Sequence, residues 1–173
     1  MIEDLNKLNQ KSYNQIISHT QTVADYFNLE NPTALNVKAS HSSHGVLPVI
    51  RGLIADMIGP NAAMPIIDVR NGPEETKFLK RNDLESLSER GTASPDHVIR
   101  IKGRPLVLRK SVWEQGRSAI KEALKDYEIE YKAMFERQAP KAAQPKTILS
   151  PDPKTIWMEG VGLLGLGANF KSA

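Results

Sequence analysis

The sequence of 173 residues contains no cysteine, which excludes disulfides, thiolate catalysis and cysteine-based zinc sites. Aromatic residues make up only 6% of the chain, and lysines and arginines are interleaved with acids to leave a net charge of +3. Such a pattern argues against nucleic-acid binding. No apolar run approaches the ~20 residues that span a bilayer, and residues 1–7 lack the basic start and apolar core of a signal peptide. We therefore expect a cytoplasmic protein with no membrane partner.

Residues 13–27 predict an amphipathic helix in the N-terminal part of the chain. Apolar or semi-apolar residues recur there at helical spacing over about four turns, with polar residues opposite; they are Tyr13, Ile16, Ile17, Thr20, Val23, Ala24 and Phe27. Nothing that precedes this helix offers a partner for its apolar stripe. We expect the stripe to associate with a second copy or with domains missing from this chain.

After this helix the sequence favours an α/β fold, with helices layered on a small sheet, because helix and strand signals alternate. Residues 1–30 form the terminal helical part, and residues 31–137 form the α/β core. Four prolines mark residues 138–153 as a linker, and residues 154–173 complete the core with a strand and a glycine-rich motif. A capping box at residues 111–114 predicts the start of the longest helix.

The stretch 91–108 carries the candidate functional side chains, which are Asp96, His97, Arg100, Lys102 and Arg104. Turn formers followed by alternating residues predict a turn, a strand through Lys102, a tight bend and a second strand. On such a strand Arg100 and Lys102 project from the same face, and with Arg104 they are candidates for a phosphate clamp. Asp96 and His97 are weaker candidates for an acid–base pair, because neighbours on a strand face opposite ways. The simpler interpretation is a solvated strand face with Asp96 capping the turn.

Two further patterns suggest cofactors, but neither has the context it needs. Gly160, Gly162 and Gly165 form a G-x-G-x-x-G motif after a predicted strand, as in dinucleotide-binding sites. The following residues predict continued strand or turn rather than a helix, and the expected acid about 20 residues later has no place in this chain. His41 and His44 have metal-ligand spacing for a helix, but no third ligand is evident. We therefore predict neither a cofactor site nor a metal site.

Several segments together resemble one known family. Gly91–Lys102 is similar to the conserved Pro-Asp-His-x-x-x-x-Lys segment of bifunctional class II aldolase/short-chain dehydrogenase proteins, the rhamnulose-1-phosphate aldolase/alcohol dehydrogenase type. Other landmarks of that family are resembled in the same order by Leu47–Gly52, Tyr127–Tyr131, Phe135–Arg137, Asp152–Ile156 and Gly160–Gly167.

The resemblance implies that this chain lies between two active sites. In that family the zinc-binding histidines lie upstream of the matched region, and helix 13–27 resembles the last helix of the aldolase domain. The dehydrogenase fingerprint and its tyrosine–lysine pair lie downstream, so zinc and NAD are expected only in the complete parent proteins. The implied function is a fragment of a rhamnose-type sugar enzyme without either catalytic centre. Alternatives are a stand-alone sugar-phosphate-binding or scaffolding module, and a small enzyme that uses Asp96 and His97.

Residues 154–167 are also similar to the class II aldolase strand that carries the last zinc ligand in an Asn-His-Gly-Leu motif. In this comparison Val161 occupies the place of the histidine and Gly160 that of the asparagine. A valine cannot bind a metal. The hypothesis is a degenerate class II aldolase-like repeat that keeps the fold without the metal.

Overall fold

The computed structural model describes residues 45–173, which contain both helices and strands. This part lies within one unit, His41–Ala173. The predicted helix 13–27 and the pair His41 and His44 lie outside the described residues. The helices are α1 (Leu47–Ile58), α2 (Pro73–Leu79), α3 (Leu84–Ser88), α4 (Pro95–Ile101), α5 (Lys110–Trp113) and α6 (Arg117–Gln138), followed by a 3-10 turn, Ala139–Lys141. The strands are β1 (Ile66–Arg70), β2 (Leu106–Leu108), β3 (Thr155–Met158) and β4 (Gly162–Gly167).

The four strands form one mixed sheet in the order β1-β4-β3-β2. β4 pairs antiparallel with both β1 and β3, whereas β2 and β3 are parallel. A parallel pair needs a long crossover connection, and α5, α6 and the following segment supply it. The prediction of a mixed α/β fold with helices on a small sheet is confirmed. The domain boundaries stay a prediction.

One face of the sheet forms the core because apolar side chains on alternate positions meet across the strands. Ile156 is paired with Leu106 on one side and with Leu164 on the other, and all three side chains are buried. Helix α1 contacts β1, and α6 contacts both β2 and α1. Their buried residues are Val49, Ile50, Leu53 and Ile54 on α1, and Ile120, Leu124 and Tyr127 on α6.

The opposite face of the sheet is covered more thinly. Trp157 follows Ile156 and therefore faces the other way. Its ring meets Phe78 of α2 edge-on, with ring centroids 4.9 Å apart. Helix α2 contacts β4, and α3 contacts β2. No helix within residues 45–173 is long and apolar enough to cross a membrane.

The predicted strand through Lys102 is wrong, because residues 95–101 form helix α4. Its helix signals outweigh the β-branched Val98 and Ile99. Pro95 stands in the first turn, where its missing N–H is not needed. Asp96 is in the first turn and Arg100 in the last, so each charge is favourably placed in the helix dipole.

The predicted capping box at residues 111–114 is also wrong. Ser111 lies inside the short helix α5, and Glu114 follows its end and pairs with Lys110 at 3.5 Å. The long helix begins only after Gly116, whose φ of 98° breaks the chain direction between the two helices. The long helix itself is confirmed, with 22 residues from Arg117 to Gln138.

Candidate functional site

Lys102 lies at the centre of a buried polar cluster just after α4. Its backbone has a φ of 66°, and only 5% of the residue is exposed. The ammonium donates hydrogen bonds to the carbonyl oxygens of Ser150 and Asp152, both at 2.5 Å. A lysine is rarely buried unless its charge is compensated. Here backbone carbonyls, rather than a carboxylate, receive the ammonium directly.

Helix α6 closes this cluster from one side with two tyrosines. The Lys102 ammonium lies 4.2 Å from the centroid of the Tyr131 ring, a favourable cation–π position. The Tyr127 hydroxyl donates to the carbonyl oxygen of Arg104 at 3.0 Å. Tyr127 therefore holds the backbone just after Lys102 in place, and the ring of Tyr131 covers the positive charge of Lys102.

Burial changes the acid–base properties of the cluster. Desolvation lowers the pKa of Lys102 to about 8, although the charge of Asp152 acts in the opposite direction. Desolvation also raises the pKa of Tyr127 to about 12, because the phenolate would be buried. It raises the pKa of Tyr131 for the same reason. These shifts follow from loss of water around each charged form.

Asp152 is the carboxylate of the cluster, and 2% of the residue is exposed. Its Oδ2 accepts a hydrogen bond from the Lys154 ammonium at 2.7 Å. Its Oδ1 is buried and has no hydrogen-bond partner among the described residues. Lys154 is partly exposed, and its backbone carbonyl accepts from the N–H of Leu166 at 2.9 Å, which anchors the segment to β4.

The three basic candidates Arg100, Lys102 and Arg104 lie in different surroundings. Arg100 lies exposed on α4, whereas Lys102 is buried. Arg104 forms an ion pair with Glu130, and its guanidinium stands 5.6 Å from the centroid of the Tyr127 ring. The strand geometry that would align Arg100 with Lys102 is absent, because residues 95–101 are helical.

The pair Asp96 and His97 lies exposed in the first turn of α4. The His97 ring shares a hydrogen bond with the Ser94 hydroxyl, with Nδ1 and Oγ 2.8 Å apart. This contact stabilises the turn at the start of α4.

The three motif glycines shape the β3–β4 hairpin. Gly160 has a φ of 79° in the turn, and Gly162 has a φ of 152° as β4 begins. A Cβ on Gly162 would stand 2.6 Å from the carbonyl oxygen of Arg70, so glycine permits β1 and β4 to approach. Gly165 lies within β4, which confirms the prediction that the motif continues as strand. Val161 is buried in this turn, and the hypothesis of a degenerate repeat stays a prediction.

Two clefts adjoin the cluster, and each is lined in part by residues of the 149–154 segment. The larger, about 450 Å³, has Lys102, Arg104, Tyr127 and Tyr131 in its walls, with exposed apolar side chains at its mouth. The smaller, about 280 Å³, lies between the end of α1, the start of β1 and the segment that contains Asp152. Within residues 45–173 no three histidine, aspartate or glutamate side chains are grouped to hold a metal ion.

Sequence reasoning missed Asp152, Lys154 and the two tyrosines as members of one site. The sequence places the two tyrosines in the segment after the predicted start of the longest helix and Asp152 in the predicted linker, and neither pattern by itself indicates a site. One signal was available. An acid and a base two residues apart, separated by proline and directly before a strand, are held rigidly next to the core.

Comparison with known protein families gives a match over most of the chain. Residues 41–173 match the family model described as aldolase class II, second domain. Over 130 residues the chain is 25% identical to a protein of Bacillus subtilis (strain 168) named an uncharacterized oxidoreductase, YuxG. The match covers 73% of this chain and 18% of that protein, so the chain spans about a fifth of the relative's length. No solved structure matches the chain.

Proposed function

Because the chain belongs to the family of class II aldolase second domains, we propose that residues 41–173 are a non-catalytic module of a longer sugar aldolase/dehydrogenase. The proposed parent type is the rhamnulose-1-phosphate aldolase/alcohol dehydrogenase of carbohydrate metabolism. In that type, both catalytic centres lie outside the region that this chain resembles. The 18% share of a relative named as an oxidoreductase supports this assignment.

The observation that carries the proposal is the position of Lys102. Two of the segments that resemble the family, Gly91–Lys102 and Asp152–Ile156, meet where the Lys102 ammonium binds the carbonyl oxygen of Asp152. The ammonium is buried and directed to the backbone of this chain. A lysine held this way ties distant segments together, so the resemblance to the family rests on residues that support the fold.

The surroundings of the other basic candidates support the same conclusion. Arg104 is paired with Glu130, whereas Arg100 lies exposed on α4 and Lys102 is buried. A phosphate site requires several donors that converge on one anion. This arrangement favours a structural module over the alternative of a sugar-phosphate clamp.

The test is a pair of activity assays on the full chain. Aldol cleavage of rhamnulose 1-phosphate is measured with zinc added, and NAD reduction is measured with the aldehyde product and the corresponding alcohol. We expect neither activity above a buffer control, and far less than one zinc per chain by elemental analysis. Turnover of either kind contradicts the proposal. A double variant, Asp96→Asn with His97→Ala, serves as control, because loss of any observed turnover in it would identify the small-enzyme alternative.

The proposed partner interaction concerns the segment 13–27, which lies outside the described residues. Its sequence predicts an apolar stripe, which we propose associates with a second copy or with other domains of the parent protein. Sedimentation of the full chain and of an Ile17→Asp variant tests this. We expect the wild type to form oligomers and the variant to form fewer. A monomeric wild type contradicts self-association.

A further inference from the structure

The smaller cleft combines an apolar wall with the polar groups of the Asp152 segment. Ile54 and Ile58 of α1, Pro65 before β1 and Leu166 of β4 provide apolar surface. The polar side comes from Ser150, Asp152 and Lys154. Its volume of about 280 Å³ is many times the ~30 Å³ that one water molecule occupies in the liquid. The cleft therefore has room for a small organic molecule.

One carboxylate oxygen of Asp152, beside this cleft, lacks a hydrogen-bond partner among the described residues. Its Oδ2 is bound by Lys154, but Oδ1 is buried with no partner among the described residues. Nearly all buried polar atoms in folded proteins have a hydrogen-bond partner, so an exception calls for a ligand or an ordered water. Asp152 is one of the residues that line the cleft, so the residue with the unpartnered oxygen belongs to the wall of the cleft.

The local charge decides which kind of donor fits. The Lys154 ammonium is 2.7 Å from the carboxylate, and the Lys102 ammonium is bound to the backbone carbonyl of the same residue. Two cations thus surround one carboxylate, and a metal ion or an ammonium ligand would be repelled. An anion without a proton would offer Oδ1 no donor. The required group is neutral and carries a hydrogen-bond donor.

A hydroxyl group meets both demands of this site. It donates to Asp152 Oδ1 and accepts from Lys154, whose ammonium has three donors and spends one on Asp152. The C–H faces of a sugar ring or polyol then contact the apolar wall. We propose that this cleft binds a neutral polyhydroxylated small molecule, a monosaccharide or polyol, with a hydroxyl placed between Asp152 Oδ1 and the Lys154 ammonium.

The proposal goes beyond the proposed function, because it assigns a ligand site to the module and requires no catalysis. The test is a titration of the full chain followed by amide NMR. The probes are L-rhamnose, D-glucose, and a vicinal cyclohexanediol compared with cyclohexanol. We expect saturable shifts at Asp152, Gly167 and Ala168 with the sugars and the diol, and about tenfold or more weaker binding of cyclohexanol.

Two variants and a matched control locate the binding. Ala63 lines the cleft and is exposed, so Ala63→Leu fills space while leaving the Asp152 side chain unchanged and should weaken binding by about tenfold or more. Ala143→Leu makes the same change at an exposed residue that does not line the cleft, and should bind like the wild type. Asp152→Asn removes the charge and should also weaken binding, with its amide spectrum showing whether the fold is retained.

Either of two results overturns the proposal. If no hydroxylated probe gives saturable shifts, Asp152 Oδ1 is satisfied by ordered water alone. If Ala63→Leu binds the sugars as tightly as Ala143→Leu does, the ligand lies elsewhere. Both results leave the activity assays of the proposed function unaffected, so the two failures are distinguishable.

Discussion

Lys102 and Asp152 are 50 residues apart in the sequence, yet the Lys102 ammonium lies 2.5 Å from the backbone carbonyl oxygen of Asp152. This bond joins the end of α4 to the segment that leads into β3. The segment has no helix or strand of its own between Ala142 and Lys154. Its position next to the sheet therefore depends on single contacts, among which the buried lysine is the most central.

The first prediction follows from that dependence. Replacing Lys102 by methionine leaves the carbonyl oxygens of Ser150 and Asp152 without their donor. A buried polar group left unsatisfied costs about 1–3 kcal/mol, so we expect the free energy of unfolding to fall by about 2–4 kcal/mol. Urea unfolding followed by tryptophan fluorescence measures it. Arg100→Ala is the matched control, because that exposed cation should change stability by less than about 0.5 kcal/mol. Equal stability of the two variants contradicts the assigned role.

The second prediction concerns pH. The folded pKa of Lys102 is about 8, below its usual 10.5, so the unfolded state binds more protons between these values. Stability that depends on this group must therefore rise with pH in that window. Between pH 8 and about pH 10, the wild type should gain about 2 kcal/mol relative to Lys102→Met. Measurements stop near pH 10. Above pH 10 the contribution of Tyr127 to stability falls as the pH rises, because its pKa is raised from the usual 10 to about 12 in the folded protein.

The comparison is made by unfolding both proteins in urea at a series of pH values. Subtracting the variant from the wild type cancels the contributions of all the other titrating groups that the two proteins share. A difference that stays constant with pH would mean that Lys102 keeps an ordinary pKa in the folded protein.

The sequence was sufficient for elements whose signals are local. The apolar positions of residues 46–58, closed by Gly59, predict α1, and residues 154–159 predict β3, with continued strand or turn in the glycine-rich run that forms β4. It failed where two local signals compete, as in residues 95–101, where β-branched residues suggest a strand and Pro95 with Asp96 suggest a helix start. The helix forms because Pro95 suits its first turn and the charges of Asp96 and Arg100 suit the helix dipole.

The buried cluster was beyond sequence reasoning for a different reason. Lys102 was identified as a candidate, but its partners are backbone carbonyls of Ser150 and Asp152, and a carbonyl carries no sequence signal. The contact depends on where a segment without regular structure crosses the end of α4. The contact of Tyr131 with the Lys102 ammonium likewise depends on the tertiary structure.

The third prediction compares two glycine-to-alanine changes. Gly162→Ala would place a Cβ 2.6 Å from the carbonyl oxygen of Arg70 at a φ of 152°, so we expect a loss of about 2 kcal/mol or more. Gly52 lies inside α1, and its added Cβ would meet nothing closer than 3.8 Å, at Arg117. Gly52→Ala should therefore stabilise the protein by about 0.5–1 kcal/mol through helix propensity. Thermal unfolding of the two variants should show melting temperatures displaced in opposite directions, and a shift of the same sign in both would contradict this account of the hairpin.

The last prediction concerns anion binding by the basic residues near α4. Arg100 is exposed on the helix, the Lys102 ammonium is bound to two carbonyls, and Arg104 is paired with Glu130. Since Lys102 and Arg104 are already engaged by groups of the chain, we expect inorganic phosphate to bind weakly and with the same affinity in the wild type and in Arg100→Ala. Inorganic phosphate is the suitable probe because it has no sugar hydroxyls and so does not report on the cleft beside Asp152.

Calorimetric titration of both proteins provides the measurement, with Glu130→Gln as a third protein. That variant frees Arg104 from its ion pair, so any latent phosphate site there should strengthen in it. A clamp built on Arg100 would lose about tenfold or more in affinity when the arginine is removed, since a charge-assisted hydrogen bond contributes about 1.5–3 kcal/mol. Such a loss in Arg100→Ala would mean that α4 rearranges when it meets an anion, and that the strand-like alignment of Arg100 and Lys102 is reached in the bound state.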